Sequence, residues 1–296
     1  MAETSGSLEK GRIFGGLIKD CKPNEAKYIF RFPSNNYKIG CGEKFFQTSL
    51  ARAFCKFFDK PEEDLPDWKF AVQRAVNSFP NFRKIIRTLY NSKGDPNHLV
   101  KVCAMSPGVP CKPMLAKPTK GIQVIFKRFD EKKFTCEFKY DGLRGQLHYK
   151  DGEVKIYSRN LENMTEKYPD IIRLLKENID REKVDDFIAD SEIVAFDGKT
   201  NKILPFQVLM TRSKKNVTES NVKVKVCLFV FDLIYLNGRS LLEEQFRARR
   251  ALMWENLPKV EGKLEFVSFK DTDDTEEINT FLEESVKCKT FVEDKI

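Results

Sequence analysis

The stretch Phe134-Thr135-Cys136-Glu137-Phe138-Lys139-Tyr140-Asp141-Gly142-Leu143-Arg144 decides how the rest of the chain is read. With the period of two that a strand imposes, Glu137, Lys139 and Asp141 point to one face and Cys136, Phe138 and Tyr140 to the other, until Gly142 ends the run. One face packs, and the other holds a lysine between two carboxylates. Such a strand is either a solvated, salt-bridged edge or a reaction site, and the pattern alone leaves both open.

Working outward, residues 134–141 and 144–149 read as strands about a tight turn, and a third strand at 154–158 follows the Asp151-Gly152 turn. Residues 166–178 are helical. In the strand over 186–196, Asp190 and Glu192 share a face with Ile188 and Val194. Residues 226–236 are nearly continuously apolar and end at Asn237-Gly238, as expected of a central strand buried on both faces. A helix near 241–256, a strand near 263–269 and a helix near 274–287 follow. This order predicts an α+β domain built on antiparallel sheets.

Upstream, the chain reads as helices. An amphipathic run opens at Ser7 and breaks at Asp20-Cys21-Lys22-Pro23, and the glycine turn Lys38-Ile39-Gly40-Cys41-Gly42 enters a helix over 43–58. Two more are predicted over 66–77 and 80–92, the second with Phe82, Ile86 and Leu89 in the core. Three prolines and one glycine in Ser106-Pro107-Gly108-Val109-Pro110-Cys111-Lys112-Pro113 cannot continue a helix, which places a domain boundary between 105 and 106. The two domains are therefore 1–105 and 106–296.

At 296 residues with 41% hydrophobic and 12% aromatic content, the chain is globular and long enough for two domains. Only 2 histidines, His98 and His148, leave little room for a histidine metal site or a Ser-His-Asp triad, and both read as ordinary surface or packed residues. The 8 cysteines show no C-x-x-C pairing and read as reduced, mostly buried thiols of an intracellular protein. No secretory leader and no run of eighteen apolar residues is present, so neither secretion nor a membrane partner is expected. Of the net charge of +8, residues 1–105 carry 18 Lys and Arg against 11 Asp and Glu, while the remainder carries 34 against 33. The basic excess lies in the first third, where a polyanionic partner and a generic solvated surface both fit.

A nucleophilic lysine has to lose its proton, which nearby cations favour. Lys139 with Arg144 offers that arrangement, and attack on a nucleotide α-phosphate would also call for Mg²⁺ held by a carboxylate from another strand. Glu192, on an otherwise apolar strand, is the leading candidate; the other reading is an edge-exposed glutamate.

Lys139-Tyr140-Asp141-Gly142-Leu143-Arg144 resembles the K-x-D-G-x-R signature of nucleotidyltransferases that form a covalent lysine–nucleotide intermediate. The blocks at 154–160, 190–195, 205–207 and 231–238 narrow the resemblance to eukaryotic replicative ATP-dependent DNA ligases, from about residue 8 to about residue 287. The resemblance implies a partial helical DNA-binding domain, then a nucleotidyltransferase (adenylation) domain, with no OB-fold domain. It makes Lys139 the residue adenylated by ATP, Glu137 the reader of the adenine amine, and Arg144 a ribose and phosphate contact. Arg159 would contact the nucleotide phosphate, Glu192 would engage ribose or Mg²⁺, and Phe231 would stack on adenine. Lys38, Gly40 and Lys44 sit where the family meets the DNA backbone. The implied cofactors are ATP and Mg²⁺, the implied partner nicked double-stranded DNA, the implied location the nucleus, and a monomer is expected.

The sequence departs from the family after Lys287, where a further metal-binding glutamate, the triphosphate-neutralising lysines and the OB-fold are expected but unmatched; Glu293 does not stand in for that glutamate. The first part of the helical domain is unmatched as well. The expectation is a truncated adenylation domain with impaired or absent nick sealing, since phosphoryl transfer depends on charge stabilisation. Two alternatives remain: a catalytically dead fragment that binds nicked DNA, and, more distantly, an mRNA capping enzyme, against which the helical first third argues.

Overall fold

The computed structural model describes residues 2–31, 38, 40–129, 132–212, 217, 220 and 222–289. It divides into two compact units, Met1–Val72 and Gln73–Ile296.

The first unit is helical, with α1 (Ala2–Asp20), α2 (Pro23–Arg31), α3 (Glu43–Phe57) and the start of α4 (Leu65–Ser78). Pro23 opens α2 where its missing N–H is of no consequence, and the Glu25 carboxylate accepts from the Lys22 N–H at 2.9 Å. Ala51, Cys55, Leu65, Trp68, Ala71 and Val72 are buried, and Phe58 stacks on Trp68 with ring centroids 5.9 Å apart.

The second unit continues α4 and adds α5 (Phe82–Tyr90), α6 (Pro96–Val102) and α7 (Ile122–Arg128) before its sheets. Asn81 caps α5 by accepting from the Lys84 N–H at 3.1 Å, and Asp95 caps α6 at 2.8 Å from the Asn97 N–H. Ile85, Thr88 and Leu89 form the buried stripe of α5, which corrects the expectation for Ile86. That residue is 39% exposed, because each helix position turns about 100° from the last and Ile85 already faces inward.

The central sheet has the order β3-β2-β4-β6-β7, from β2 (Leu143–Lys150), β3 (Glu153–Ser158), β4 (Asp186–Asp197), β6 (Val226–Leu236) and β7 (Arg239–Ser240). Its path is antiparallel, as the sequence predicts. The short β5 (Lys202–Ile203) pairs with β4, and β8 (Leu264–Phe266) runs parallel to β6. Leu147, Tyr149, Phe187, Ala189, Ile193, Leu228 and Val230 join the main core on one face, with Ile171 and Leu175 of α8 (Pro169–Asn178) and Met253 of α10 (Phe246–Asn256). The other face of β4 carries Ile188, Asp190, Glu192 and Val194, the grouping the alternation implies.

The predicted hairpin about Gly142 is overturned. β1 (Phe134–Glu137) pairs instead with β9 (Phe269–Thr272) in a separate two-stranded sheet, while β2 pairs with β3 and β4. The predicted single strand near 263–269 accordingly splits into β8 and β9. Residues 138–142 cross between the sheets, and Gly142 serves close approach: a Cβ there would lie 2.3 Å from the Ile193 carbonyl oxygen. Two helices start later than predicted, α8 at Pro169 and α10 at Phe246. The small α9 (Phe206–Met210) lies between β5 and β6, and α11 (Thr275–Lys289) is capped by Asp274, which accepts from the Glu276 N–H at 2.7 Å.

Candidate functional site

The site is built on the face of β2, β4 and β6 opposite the main core, between two smaller buried clusters that include Ile188 and Val194. Register places Arg144 opposite Glu192 and Gln146 opposite Asp190, so these side chains stand together on one face. β6 then departs from regular pairing. Ser191 lies opposite Val230 and Asp190 opposite Asp232, which leaves Phe231 as an extra residue in a β-bulge. The bulge turns the half-buried Phe231 ring away from the main core and against the smaller cluster that includes Val194 and Phe229, where the Arg144 guanidinium sits 5.2 Å from its centroid. Arg249 of α10 holds the bulge by donating to both Asp232 carboxylate oxygens, at 2.8 and 3.0 Å.

These elements wall a groove of about 940 Å³. Glu137, Lys139, Arg144, Arg159, Glu192 and Phe231, the six groove residues singled out in the sequence, all line it. Lys139 lies on the crossing segment, exposed, with Phe138 and Tyr140 tucked inward on either side. Arg159 is exposed in the turn after β3. Glu192 accepts from the Gly142 N–H, and burial holds its carboxyl above the usual range against the opposing pull of Lys139 and Arg144. Glu137 has exposed surface, yet the protein around its carboxyl desolvates it and pushes it up to about 7, with Asp232 and Asp271 adding to the effect and Arg250 resisting it.

Lys38, Gly40 and Lys44 belong to the other unit. Lys38 and Gly40 adopt left-handed backbone conformations with φ of 47° and 73°, and Lys44 is exposed in the first turn of α3. Ile39 between them lies outside the described residues.

Sequence reasoning missed a second wall. Lys167, Tyr168 and Arg212 also line the groove. Arg212 is buried and bidentate to Asp170 at 2.5 and 3.1 Å, donates to the Val224 and Lys167 carbonyls, and stacks over Tyr168 with 4.9 Å to the ring centroid. Burial pushes the Tyr168 hydroxyl up to about 12. Arg212 and Asp170 lie 42 positions apart in the chain, so no local spacing announces the pair.

The groove thus offers several cations, a carboxylate acceptor and a flat ring, a donor set suited to a nucleotide. The Arg144 Nε is buried and has no protein partner among the described residues, an unmet donor inside this wall. No group of three or more His, Cys, Asp or Glu able to hold a metal ion occurs among the described residues. Glu192 is a single carboxylate in the groove wall, and a Mg²⁺ carried on phosphates takes only one or two carboxylates and keeps several waters.

Residues 113–290 match the ATP dependent DNA ligase domain, and residues 1–51 match the DNA ligase N terminus. The chain belongs to the ATP-dependent DNA ligase family. It is 39% identical to DNA ligase 1 of Drosophila melanogaster over 97% of this chain and 40% of that protein. It is likewise 39% identical to DNA ligase 1 of Saccharomyces cerevisiae over 97% of this chain and 39% of that protein. DNA ligase 1 of Arabidopsis thaliana is 38% identical over 95% of this chain and 36% of that protein. The chain thus spans about 40% of the length of these relatives. Among solved structures, the ligase domain of M. tuberculosis LigD aligns with 53% of this chain and 45% of that chain at 21% identity and a TM-score of 0.39. No described helix of this ligase-family chain is long and apolar enough to cross a membrane.

Proposed function

We propose that Lys139 is the nucleophile of an ATP-dependent adenylation reaction that serves the sealing of nicked double-stranded DNA. The observation that carries this reading is the convergence of Lys139, Glu137, Arg144, Arg159, Glu192 and Phe231 on one groove in a chain of this family. The deprotonated Lys139 amine attacks the α-phosphorus of ATP, an N–P bond forms, and the bond to the β-phosphate oxygen breaks with release of pyrophosphate. The AMP then passes to a 5′-phosphate at the nick, and attack by the 3′-hydroxyl expels it.

Phe231 stacks on adenine, Glu137 accepts from the adenine amine, Arg144 meets ribose and phosphate, and Arg159 meets phosphate. Glu192 engages ribose or holds Mg²⁺, which when bound neutralises phosphate oxygens. Lys38, Gly40 and Lys44 contact the DNA backbone, where cations and free amides suit phosphate. A helical DNA-binding domain over 1–105 and an adenylation domain over 106–296, monomeric state and nuclear location belong to the same reading.

The test is incubation with α-labelled ATP and Mg²⁺ followed by denaturing electrophoresis. Label on the protein that Lys139→Ala abolishes is the expected result. Absence of label, or label that survives Lys139→Ala, overturns the adenylation reading. Salt-dependent binding of nicked duplex without label identifies the chain as a DNA-binding module instead.

A further inference from the structure

Behind the groove runs a chain of buried polar groups that the proposed reaction does not use. Asp190, Gln146 and His148 are 5%, 4% and 1% exposed. Arg144 Nη2 donates to Asp190 Oδ2 at 2.5 Å, and Asp190 Oδ1 accepts from Gln146 Nε2 at 3.4 Å. Gln146 Oε1 accepts from the Cys111 N–H at 2.9 Å, while Gln146 Nε2 also donates to the Cys111 carbonyl at 3.3 Å. His148 closes the chain. Its Nδ1 accepts from the Gly108 N–H at 3.0 Å, which leaves the proton on Nε2 to donate to Gln146 Oε1 at 2.9 Å. Tyr157 fixes the far end by donating to the Gly108 carbonyl at 2.6 Å.

Resting on the adenylation reading, we propose that Gln146 and Asp190 are positioning residues that hold the Arg144 guanidinium in the groove wall, anchored directly to Cys111 and through His148 of β2 to Gly108, both in the proline-rich segment. The physical ground is the cost of the arrangement. Three polar side chains buried in a sheet face would stabilise the fold no less as apolar residues of matched shape, and a buried network specifies one geometry only when each member is satisfied. Here the members satisfy one another, and the one buried side-chain donor without a partner among the described residues, Arg144 Nε, is at the groove end. Arg144 thereby has one orientation, set by Asp190 on one side and the Phe231 ring on another.

Gln146→Glu keeps the acceptor for the Cys111 N–H and His148 and removes the donor to Asp190 and to the Cys111 carbonyl; Asp190→Asn keeps the shape and removes the charge partner. Each is made in the full chain, alone and with Arg144→Ala, with thermal unfolding recorded to verify the fold. Equilibrium binding of ATP is read alongside the labelling rate. Each single variant is expected to lose about ten- to a hundredfold in ATP affinity or labelling rate, as misplacement of a positioned group does. In the Arg144→Ala background the same substitutions are expected to change neither quantity further, while still shifting the unfolding temperature. A loss that persists undiminished in that background, or no loss in folded single variants, overturns the inference and leaves the adenylation reading standing. Wild-type protein that neither binds ATP nor is labelled overturns both.

Discussion

His148 makes acid a specific solvent for unfolding this sheet. Burial, with a smaller contribution from Lys155, lowers the imidazole from the usual 6.5 to about 3. In the folded chain Nδ1 is committed to the Gly108 N–H, so a proton there breaks a buried hydrogen bond as well as creating a buried charge. The unfolded chain accepts that proton below its usual value and the folded chain refuses it. His148 therefore contributes stability that is present above pH 6.5 and is lost as pH falls toward 3. Between pH 8 and pH 5 the loss amounts to about 2 kcal/mol, and by pH 3 to about 4–5 kcal/mol. His148→Asn puts an amide oxygen near the Nδ1 position with nothing to titrate. It costs about 1–2 kcal/mol at pH 8 for the lost donor to Gln146 and lost packing. Urea unfolding of both proteins at pH 8, 6.5 and 5 measures the difference, in which all other titrations cancel. Wild type should lose its advantage by about 2 kcal/mol across the series, reaching parity or worse at pH 5. A difference constant to within about 0.5 kcal/mol would show that His148 is not held neutral by its surroundings.

Gly142→Ala should destabilise the second unit by about 1–3 kcal/mol, because the new methyl must displace the Ile193 carbonyl or the crossing segment; a denaturation midpoint within error of wild type would contradict this. Asp170→Ala strands the buried Arg212 and should cost about 3 kcal/mol or more, read in the same unfolding assay, whereas a loss below about 1 kcal/mol would mean that the Val224 and Lys167 carbonyls suffice. Glu137→Gln should stabilise the protein at pH 8.5 more than at pH 5.5. The raised carboxyl contributes stability below its usual value that is lost as pH rises through about 7, and the amide escapes that loss; a melting-temperature difference independent of pH would refute the assignment.

The exposure pattern of residues 137–141 follows the alternation read from the sequence, although the paired strand ends at Glu137, because side chains alternate along any extended segment. Glu192 was legible for a similar reason: a carboxylate in phase with Ile188 and Val194 on an apolar strand signals a face with a task. The hairpin was misread because glycine after a charged run signals a turn, whereas Gly142 answers the carbonyl of Ile193, 51 positions away in numbering and invisible to local pattern. Arg212 with Asp170 and the pairing of β1 with β9 were hidden on the same ground, since each depends on partners brought together only by the fold. His148 looked ordinary because one histidine carries no spacing. Its weight comes from a neutral tautomer fixed by two hydrogen bonds.

The two extra residues of β6 have a further consequence. Eleven residues, 226–236, lie along the nine of β4 at 187–195, with irregularities beside Phe231 and Ile234. The core therefore takes Leu228, Val230, Leu233 and Leu236 at intervals of two, three and three. Each longer interval hands two neighbouring side chains, Phe231 with Asp232 and Ile234 with Tyr235, to the opposite side. Surplus chain length, rather than a loop, is thus what brings the Phe231 ring into the groove wall. Substitution of Phe231 alters one ring, whereas its deletion would draw Asp232 out of reach of Arg249 and flatten the strand. Length variation in β6 is therefore less tolerable than its apolar composition suggests.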